Sequence, residues 1–436
     1  MSIDTDQRSD GGHDVVVVGA GLAGLAAAAT AGRAGSRVLV VDGRSAGGRA
    51  RTDERDGFRF NQGAHALYLG GHAERVLSEL GVGVPAGAPP SGDQWGRCGD
   101  LVSPLPSTPV RAVRSRLVGA AGAAQLARLA RWLRTVDASE FADRSFASWL
   151  SGRGLRDDAA AIVRIVAHVA SYADDLGVIS ADAVLAQLRL VFAHGVRYLD
   201  GGWQVLVDGL VDAATAAGVE VCTGVGVASV ASDGDGSRVE LRDGTTLAAG
   251  AVVLAVGGPE ATAALLPGDP RWGDLGPPST AACLDLGLRR PPDRRVVFEM
   301  DEPMYLSTHG PPADLAPSGR AVVHVMRYGA RAVPADRTAL WGLARTAGVR
   351  DDDVIEQRVL ARMVTSHSVP VPGRGLAGRP GVDSGGARGV YVAGDWVGPD
   401  GLLADAALAS GAAAGRRAAA EVRTVRARAD DPTGVS

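Results

Sequence analysis

The residues of this 436-residue chain best suited to chemistry begin in one short stretch near its start. Gly19, Gly21 and Gly24 stand at GxGxxG spacing in the run Gly19-Ala20-Gly21-Leu22-Ala23-Gly24, and Asp42 follows eighteen residues after the last of them. Glycines so spaced let a chain turn tightly, offer bare backbone to a pyrophosphate and press a helix onto a sheet. An acid ending the next strand can accept ribose hydroxyls, while the phosphates meet the N–H groups and dipole of the helix N-terminus. The chemistry is recognition of a dinucleotide. A tight turn that merely packs would leave Asp42 unexplained.

Those residues need a strand, a helix and a second strand to hold them. Asp14 to Val18 is a β-branched run of the kind buried in a parallel sheet. The Ala-rich stretch from Leu22 to Ala34 predicts a helix, Gly35 its stop, and Arg37 to Val41 a second strand that ends at Asp42. Just beyond, Gly47-Gly48-Arg49 and Arg51 add two glycines for close backbone approach and guanidinium groups that can neutralise a phosphate or sit beside a flavin.

Composition removes whole classes of chemistry. All 45 basic residues are Arg, so no lysine can form a pyridoxal or aldolase Schiff base or hold a nucleotide phosphate. Asn61 is the only Asn, and both biases match a GC-rich genome. With 49 acids the net charge is -4, which gives no footprint for nucleic acid. Cys98, Cys222 and Cys283 are widely spaced without a CxxC pair, so a reducing, cytoplasmic setting is expected. The polar, acidic start from Met1 to His13 is no secretory signal, and no charge-free apolar run reaches the roughly 18 residues of a membrane span. Eight scattered His without paired spacing predict no metal site.

Farther along, Arg111 to Val136 predicts a helix with Leu126, Leu129, Leu133 and Val136 on one face and Arg128, Arg131 and Arg134 on another. The arginine face is either a solvated cap surface or a contact with a membrane or an anionic substrate. Short strands are predicted from Val219 to Val256, with turns at Asp233 to Ser237 and at Asp243-Gly244. Further strands run from Ala281 to Tyr328, and Pro- and Gly-rich stretches such as Pro85 to Gly92 and Pro370 to Gly381 mark lobe crossings.

On the glycine turns, Asp42 and Gly47-Gly48-Arg49, the chain resembles the FAD-dependent oxidoreductases of the flavin-containing amine oxidase and phytoene desaturase superfamily. The resemblance continues in order. Phe58 to Tyr68 is similar to the segment passing the flavin ring, and Gly201-Gly202-Trp203 to the motif that re-enters the FAD domain. Val225-Gly226-Val227 resembles the strand meeting the adenine. Val390 to Asp395 is similar to the last FAD strand, whose acid holds ribityl or phosphate oxygens, and Leu402 to Gly411 to the helix whose N-terminus supports the flavin N1 and C2 carbonyl. The resemblance implies an α/β fold, a Rossmann-like FAD-binding domain of the glutathione-reductase type with an inserted α+β substrate domain. The FAD domain would comprise 14–100, 200–280 and 370–425, the substrate domain 101–199 and 281–369, with disordered tails at 1–13 and 426–436. FAD contacts fall on Gly19, Ala20, Gly21, Leu22, Ala23, Gly24, Asp42, Gly43, Arg44, Gly48, Arg49, Gly63, Ala64, His65, Val227, Gly394, Asp395, Leu403 and Ala404.

Two departures count against amine oxidation: there is no Lys to hold the flavin N5 region, and Leu403 stands where many amine oxidases present a cage Tyr. No Cys lies near the flavin-facing motifs in sequence, so the FAD is expected to be non-covalent. The pattern from Gly394-Asp395-Trp396 to Ala404-Asp405-Ala406, and Tyr305 to Pro317, are more similar to the phytoene or squalene desaturase and protoporphyrinogen oxidase branches. The implied reaction is dehydrogenation of a large apolar molecule by hydride transfer to flavin N5, with oxygen, a quinone or a carrier as electron acceptor. An FAD-dependent amine or protoporphyrinogen-type oxidase, and a non-redox isomerase or binding flavoprotein, are the alternatives. At the reacting centre, His65 lies against the flavin or makes a structural hydrogen bond, Trp396 walls the substrate or packs beneath the last helix, and Tyr172 with His168 lines a tunnel or belongs to the core. His309 and His324 are expected as satisfied sheet histidines, and Asp405 as a cap or solvated acid.

Overall fold

The computed structural model describes residues 12–84, 86–90, 92–232, 236–266, 272, 275–329 and 334–429. Of the tails expected at 1–13 and 426–436, residues 1–11 and 430–436 lie outside the described residues, as do Pro85, Ser91 and residues 233–235. His13 already belongs to the first strand, and the last helix runs to Ala429.

A strand buried on both faces must be apolar where it is covered, and the first one is from Val15 to Val18. Along His13–Val18, Val15 and Val17 pack toward helices while Val16 and Val18 face the opposite layer. Glu220–Thr223, Val38–Asp42, His13–Val18 and Thr246–Leu254 lie side by side in that order, all parallel, with Val390–Val392 parallel beside the end of Thr246–Leu254. Ser237–Leu241 and Val227–Ser232 extend the sheet antiparallel. Helices Leu22–Arg33, Gln204–Ala216 and Leu403–Ala429 cover one face. A Cβ built on Gly411 would lie 2.2 Å from the Ala23 carbonyl oxygen and one on Gly415 2.3 Å from that of Ala27, so the last helix meets the first at backbone contact.

The second sheet runs Val354–Ser366, Ser279–Leu288, Ala321–Tyr328, Met304–Gly310, Val296–Glu299, Gln94–Cys98 and Leu101–Pro104. Its neighbours are antiparallel except Val296–Glu299 with Gln94–Cys98. The Gln94–Cys98 strand thus joins this sheet, although it precedes residue 100, the expected limit of the FAD domain. Helix Pro334–Thr346 packs on one face, and the other turns toward the FAD domain and the cap helices. The helix expected over Arg111 to Val136 is two helices, Pro109–Arg114 and Ala120–Leu133. Between them the Arg116 N–H goes to Ser103 Oγ and the Gly119 N–H to Asp158, so side chains, not a continuous helix, satisfy that backbone. Among the described residues no helix is long and apolar enough to cross a membrane.

The contact between the first and last helices leaves no room for a side chain. Gly411→Leu is expected to lower the thermal midpoint and cost about 3 kcal/mol or more, as severe overpacking does, whereas Ala420→Leu on the exposed side of the same helix leaves the midpoint unchanged. Thermal unfolding followed by circular dichroism, on both variants, measures this.

Candidate active site

The three motif glycines divide their work. Gly19 has φ +107°, and a Cβ there would strike the Ala255 carbonyl, so it serves the turn and strand contact. Gly24 would strike the Gly19 carbonyl, so it serves packing. Gly21 has ordinary extended backbone, and a Cβ on it would meet no protein atom within 4 Å. Glycine is not required there by the turn; the open space fits a ligand pressed against bare backbone. Nor does a side chain cap the helix that starts at Leu22, so its first N–H groups are free to face a pyrophosphate. Asp42 accepts the Ala20 N–H through Oδ2 and the Arg44 N–H through Oδ1, both at 2.7 Å, which pins the turn. The Gly47 N–H donates to the Ala20 carbonyl at 2.8 Å, locking the second glycine turn onto the first. Gly43 packs near Gly226, Val227 is buried, and Arg44 is exposed.

From that second turn Arg49 reaches across the molecule. Its Nη2 pairs with Asp395 Oδ2 at 3.0 Å and its Nη1 donates to the Thr365 carbonyl at 3.0 Å. The Asp395 carboxylate also takes the His367 imidazole at 2.7 Å and the His367 N–H at 3.1 Å, while Arg379 donates to the Asp395 carbonyl. Burial alone would raise the Asp395 pKa, but Arg49 and His367 outweigh it and hold the carboxyl well below the usual carboxylate range. Neither His367 nor Arg379 carries a sequence signal, because both act through contacts distant along the chain. The adjacent Trp396 is wholly buried on the far side of the parallel sheet, donating to the Gly257 carbonyl at 2.8 Å and packing against Trp272. It therefore packs and does not wall a substrate site.

A second locus forms where Gly63-Ala64-His65 meets the antiparallel sheet. The Tyr172 hydroxyl donates to the Ala64 carbonyl at 3.0 Å, and Tyr172 sits just past its helix, Asp157–Ser171, in left-handed conformation. Tyr68, Tyr172, Tyr305 and Tyr328 share one buried cluster with Phe298, Cys283 and Met326, and Met363 and Leu403 border it. Tyr305 and Tyr328 lie nearly parallel, centroids 6.1 Å apart. Burial pushes the Tyr172 phenol up to about 12, and the other three upward as well, so all stay neutral. His65 is half-buried with Nδ1 3.1 Å from the Gly63 carbonyl, so Nδ1 holds the proton and Nε2 is the accepting nitrogen. Burial pulls its pKa down to about 4. His168 bonds the Ala173 carbonyl and stacks on Tyr328, as a core residue does. Ala404 is half-buried against the helix layer. Asp405 is buried, not solvated, and caps a neighbouring helix: it accepts the Ala73 N–H at 2.6 Å, at the start of helix His72–Glu79.

Local sequence gave no hint of the polar line beside this cluster. Arg358, Asp285, His324 and Ser307 stand in register across four strands. Arg358 donates to Asp285 Oδ2, to Asp53 Oδ2 at 2.7 Å and to the Asn61 carbonyl, tying the substrate sheet to the hairpin before Gly63. His324 Nδ1 meets Asp285 Oδ1 at 2.6 Å, but His324 Nε2 and His309 Nδ1 have no partner among the described residues, so these histidines are not fully satisfied. Cys283, Asp285 and His324 place one ligand atom each within 4.8 Å of one another. The guanidinium on Asp285 already supplies the positive charge a metal would bring. Cys283, contrary to expectation, lies beside Gly63, yet burial and then Asp285 push its thiol well up, and a protonated thiol is a poor nucleophile.

Residues 22–282 match the family described as flavin containing amine oxidoreductase. Among solved structures, wild-type putrescine oxidase bound to putrescine superposes with a TM-score of 0.71 at 18% identity, covering 94% of this chain and 99% of that one. Cyclohexylamine oxidase from Brevibacterium oxydans IH-35A does so with a TM-score of 0.68 at 17% identity, covering 95% and 100%. At such identities the likeness is one of fold. One of the subunits of limonene dehydrogenase from Castellaniella defragrans is 53% identical over 57 residues, which span 13% of this chain and a tenth (10%) of that protein. With the family match extending over more than half of the chain, across the helix that opens at Leu22 and into the second sheet, this protein belongs to the flavin containing amine oxidoreductases and is an FAD-dependent oxidoreductase.

Proposed function

We propose that the protein dehydrogenates an apolar small molecule of isoprenoid-like character, with oxygen, a quinone or a protein carrier taking the electrons onward. The carrying observation is a buried apolar cluster beside the Gly63-Ala64-His65 segment. Aromatic and aliphatic side chains compose the cluster around Ala64 and Tyr172, and the nearest buried carboxylate, Asp285, is already committed to Arg358 and His324. A bound ammonium ion would find no free counter-charge among the described residues of that cluster, while hydrocarbon gains about 25 cal/mol per Å² buried. The short match to limonene dehydrogenase supports the same reading.

FAD, when bound, supplies the acceptor for the electron pair. The chain's part is to hold and shield. The backbone of Gly19, Ala20, Gly21, Leu22, Ala23 and Gly24 would take the phosphates, Asp42 with Gly43 and Arg44 the ribose side, Val227 the adenine, and Gly48, Arg49, Gly394 and Asp395 the ribityl and phosphate region. Gly63, Ala64, His65, Leu403 and Ala404 would border the ring. Tyr172 fixes the Ala64 carbonyl and so the place of the Gly63-Ala64-His65 segment against the apolar cluster. His65 offers Nε2 as an acceptor but is a weak base at neutral pH, which suits chemistry governed by positioning. The near-parallel Tyr305 and Tyr328 favour a second reading, amine oxidation, because a cation can lie against aromatic faces.

Anaerobic mixing separates the two. An extended isoprenoid is expected to bleach the flavin absorbance while benzylamine and putrescine do not; the opposite pattern promotes the amine reading, and no bleaching by any of them favours a non-redox role. Leu403→Arg is expected to slow bleaching at unchanged FAD content.

The cofactor site carries its own expectations. Gly21→Val should lose FAD while keeping its far-ultraviolet circular dichroism, since the side chain fills ligand space only. Asp42→Ala should weaken FAD binding by about 1–3 kcal/mol, the scale for losing a charged hydrogen-bonding group. Fluorescence titration of apoprotein with FAD measures both, and acid precipitation should release all flavin into the supernatant.

A further inference from the structure

From Leu101 to Val136 the chain holds six arginines and not one acid, in a protein whose net charge is -4. Arg111 is used internally, on Asp93 and the Gln94 carbonyl. The other five, Arg114, Arg116, Arg128, Arg131 and Arg134, are exposed, and none makes a salt bridge among the described residues. Elsewhere on the surface arginines find carboxylates, as Arg417 does with Asp383 and Arg426 with Asp14 on the last helix. A merely solvated face ordinarily mixes signs, and this one does not.

The same segment exposes two valines. Val110 is 63% exposed and Val113 89%, on the short helix Pro109–Arg114 that precedes the arginine-bearing Ala120–Leu133. Two adjoining acids have other partners: Asp158 accepts the Gly119 N–H and pairs with Arg156, and Asp137 accepts the Ser139 N–H and hydroxyl. Protruding valines beside unpaired arginines complement one kind of partner, an interface that is anionic at its surface and apolar beneath. On its opposite side this segment packs inward, where Leu117, Val118, Ala123 and Leu126 join the apolar cluster that holds Ala64, Tyr172 and Tyr305.

We propose that Pro109–Arg114 and the arginine face of Ala120–Leu133 dock on an anionic lipid bilayer. The segment that touches the lipid is then also the one packed over the apolar cluster, which places that cluster on the bilayer side of the protein. Any use of that placement for substrate rests on the reading of an apolar substrate; the docking itself does not.

Flotation of the FAD-loaded protein with vesicles tests the docking without any turnover. Vesicles of phosphatidylcholine and phosphatidylglycerol at about 7:3 should carry the protein upward, and pure phosphatidylcholine should not. Sodium chloride at about 0.5 M should reduce binding, because it shortens the screening length well below its low-salt value. Arg128→Glu with Arg131→Glu should lower the partition coefficient by about a hundredfold or more, and Val113→Asp should lower it further, both at unchanged FAD content and circular dichroism. Absence of binding to the anionic vesicles, or binding that the arginine and valine variants leave unchanged, overturns the proposal. So does salt-sensitive binding to polyglutamate with none to vesicles, which would assign the face to an acidic protein. Flavin bleaching by an isoprenoid in solution together with failed flotation would remove the docking and leave the substrate reading standing.

Discussion

A buried carboxylate organises the junction of the two lobes. Asp395, its side chain 1% exposed, could not keep its charge alone, because an isolated ion inside a protein is too costly to hold. Arg49 from the second glycine turn and His367 from the end of the longest strand of the other sheet converge on it. Three segments remote along the chain are therefore held by one charge requirement, and removing the Arg49 guanidinium would leave the buried carboxylate without its counter-charge. The glycine turns, the last short strand and the chain crossing from the second sheet all take their relative places from this point.

A second guanidinium repeats the device in the other direction. Arg358 starts from the substrate sheet, neutralises the wholly buried Asp285 and reaches Asp53 and the Asn61 carbonyl on the hairpin that leads to Gly63. Arg49 reaches from the cofactor side toward the substrate sheet, and Arg358 returns. A planar fork that bonds several acceptors at once suits both tasks better than a lysine's point charge, so the lysine-free composition costs these junctions nothing.

What could be read from the chain beforehand was what neighbouring residues decide. The strand, glycine turn, helix and second strand near the start follow from a valine run, glycine spacing and an alanine-rich stretch, and each lies within a residue or two of its expected limits. The arrangement of Arg358, Asp285, His324 and Ser307 depends on the register of four strands drawn from separate parts of the chain, and no local pattern carries that register. Trp396 illustrates the same limit at short range. Its neighbour Asp395 turns toward Arg49 while the tryptophan enters the opposite layer, and residue type alone does not say which of two successive side chains faces which side. The break between Pro109–Arg114 and Ala120–Leu133 was hidden for a further reason: the acceptors that replace the helical hydrogen bonds, Ser103 and Asp158, lie outside the segment.

The backbone contact of Gly411 and Gly415 with Ala23 and Ala27 also bears on the order in which the protein can be made. The helix Leu22–Arg33 leaves the ribosome well ahead of the helix Leu403–Ala429 that covers it, and ahead of Val390–Val392, which completes the strand edge beside Thr246–Leu254. Until those residues emerge, a growing chain shows water an alanine-rich helix face and an unpaired strand edge, with Arg49 lacking its carboxylate. Durable capture of the dinucleotide thus waits for Leu403–Ala429 to emerge, and a chain truncated before Leu403 would display the nucleotide-binding motif without being able to close a site around it.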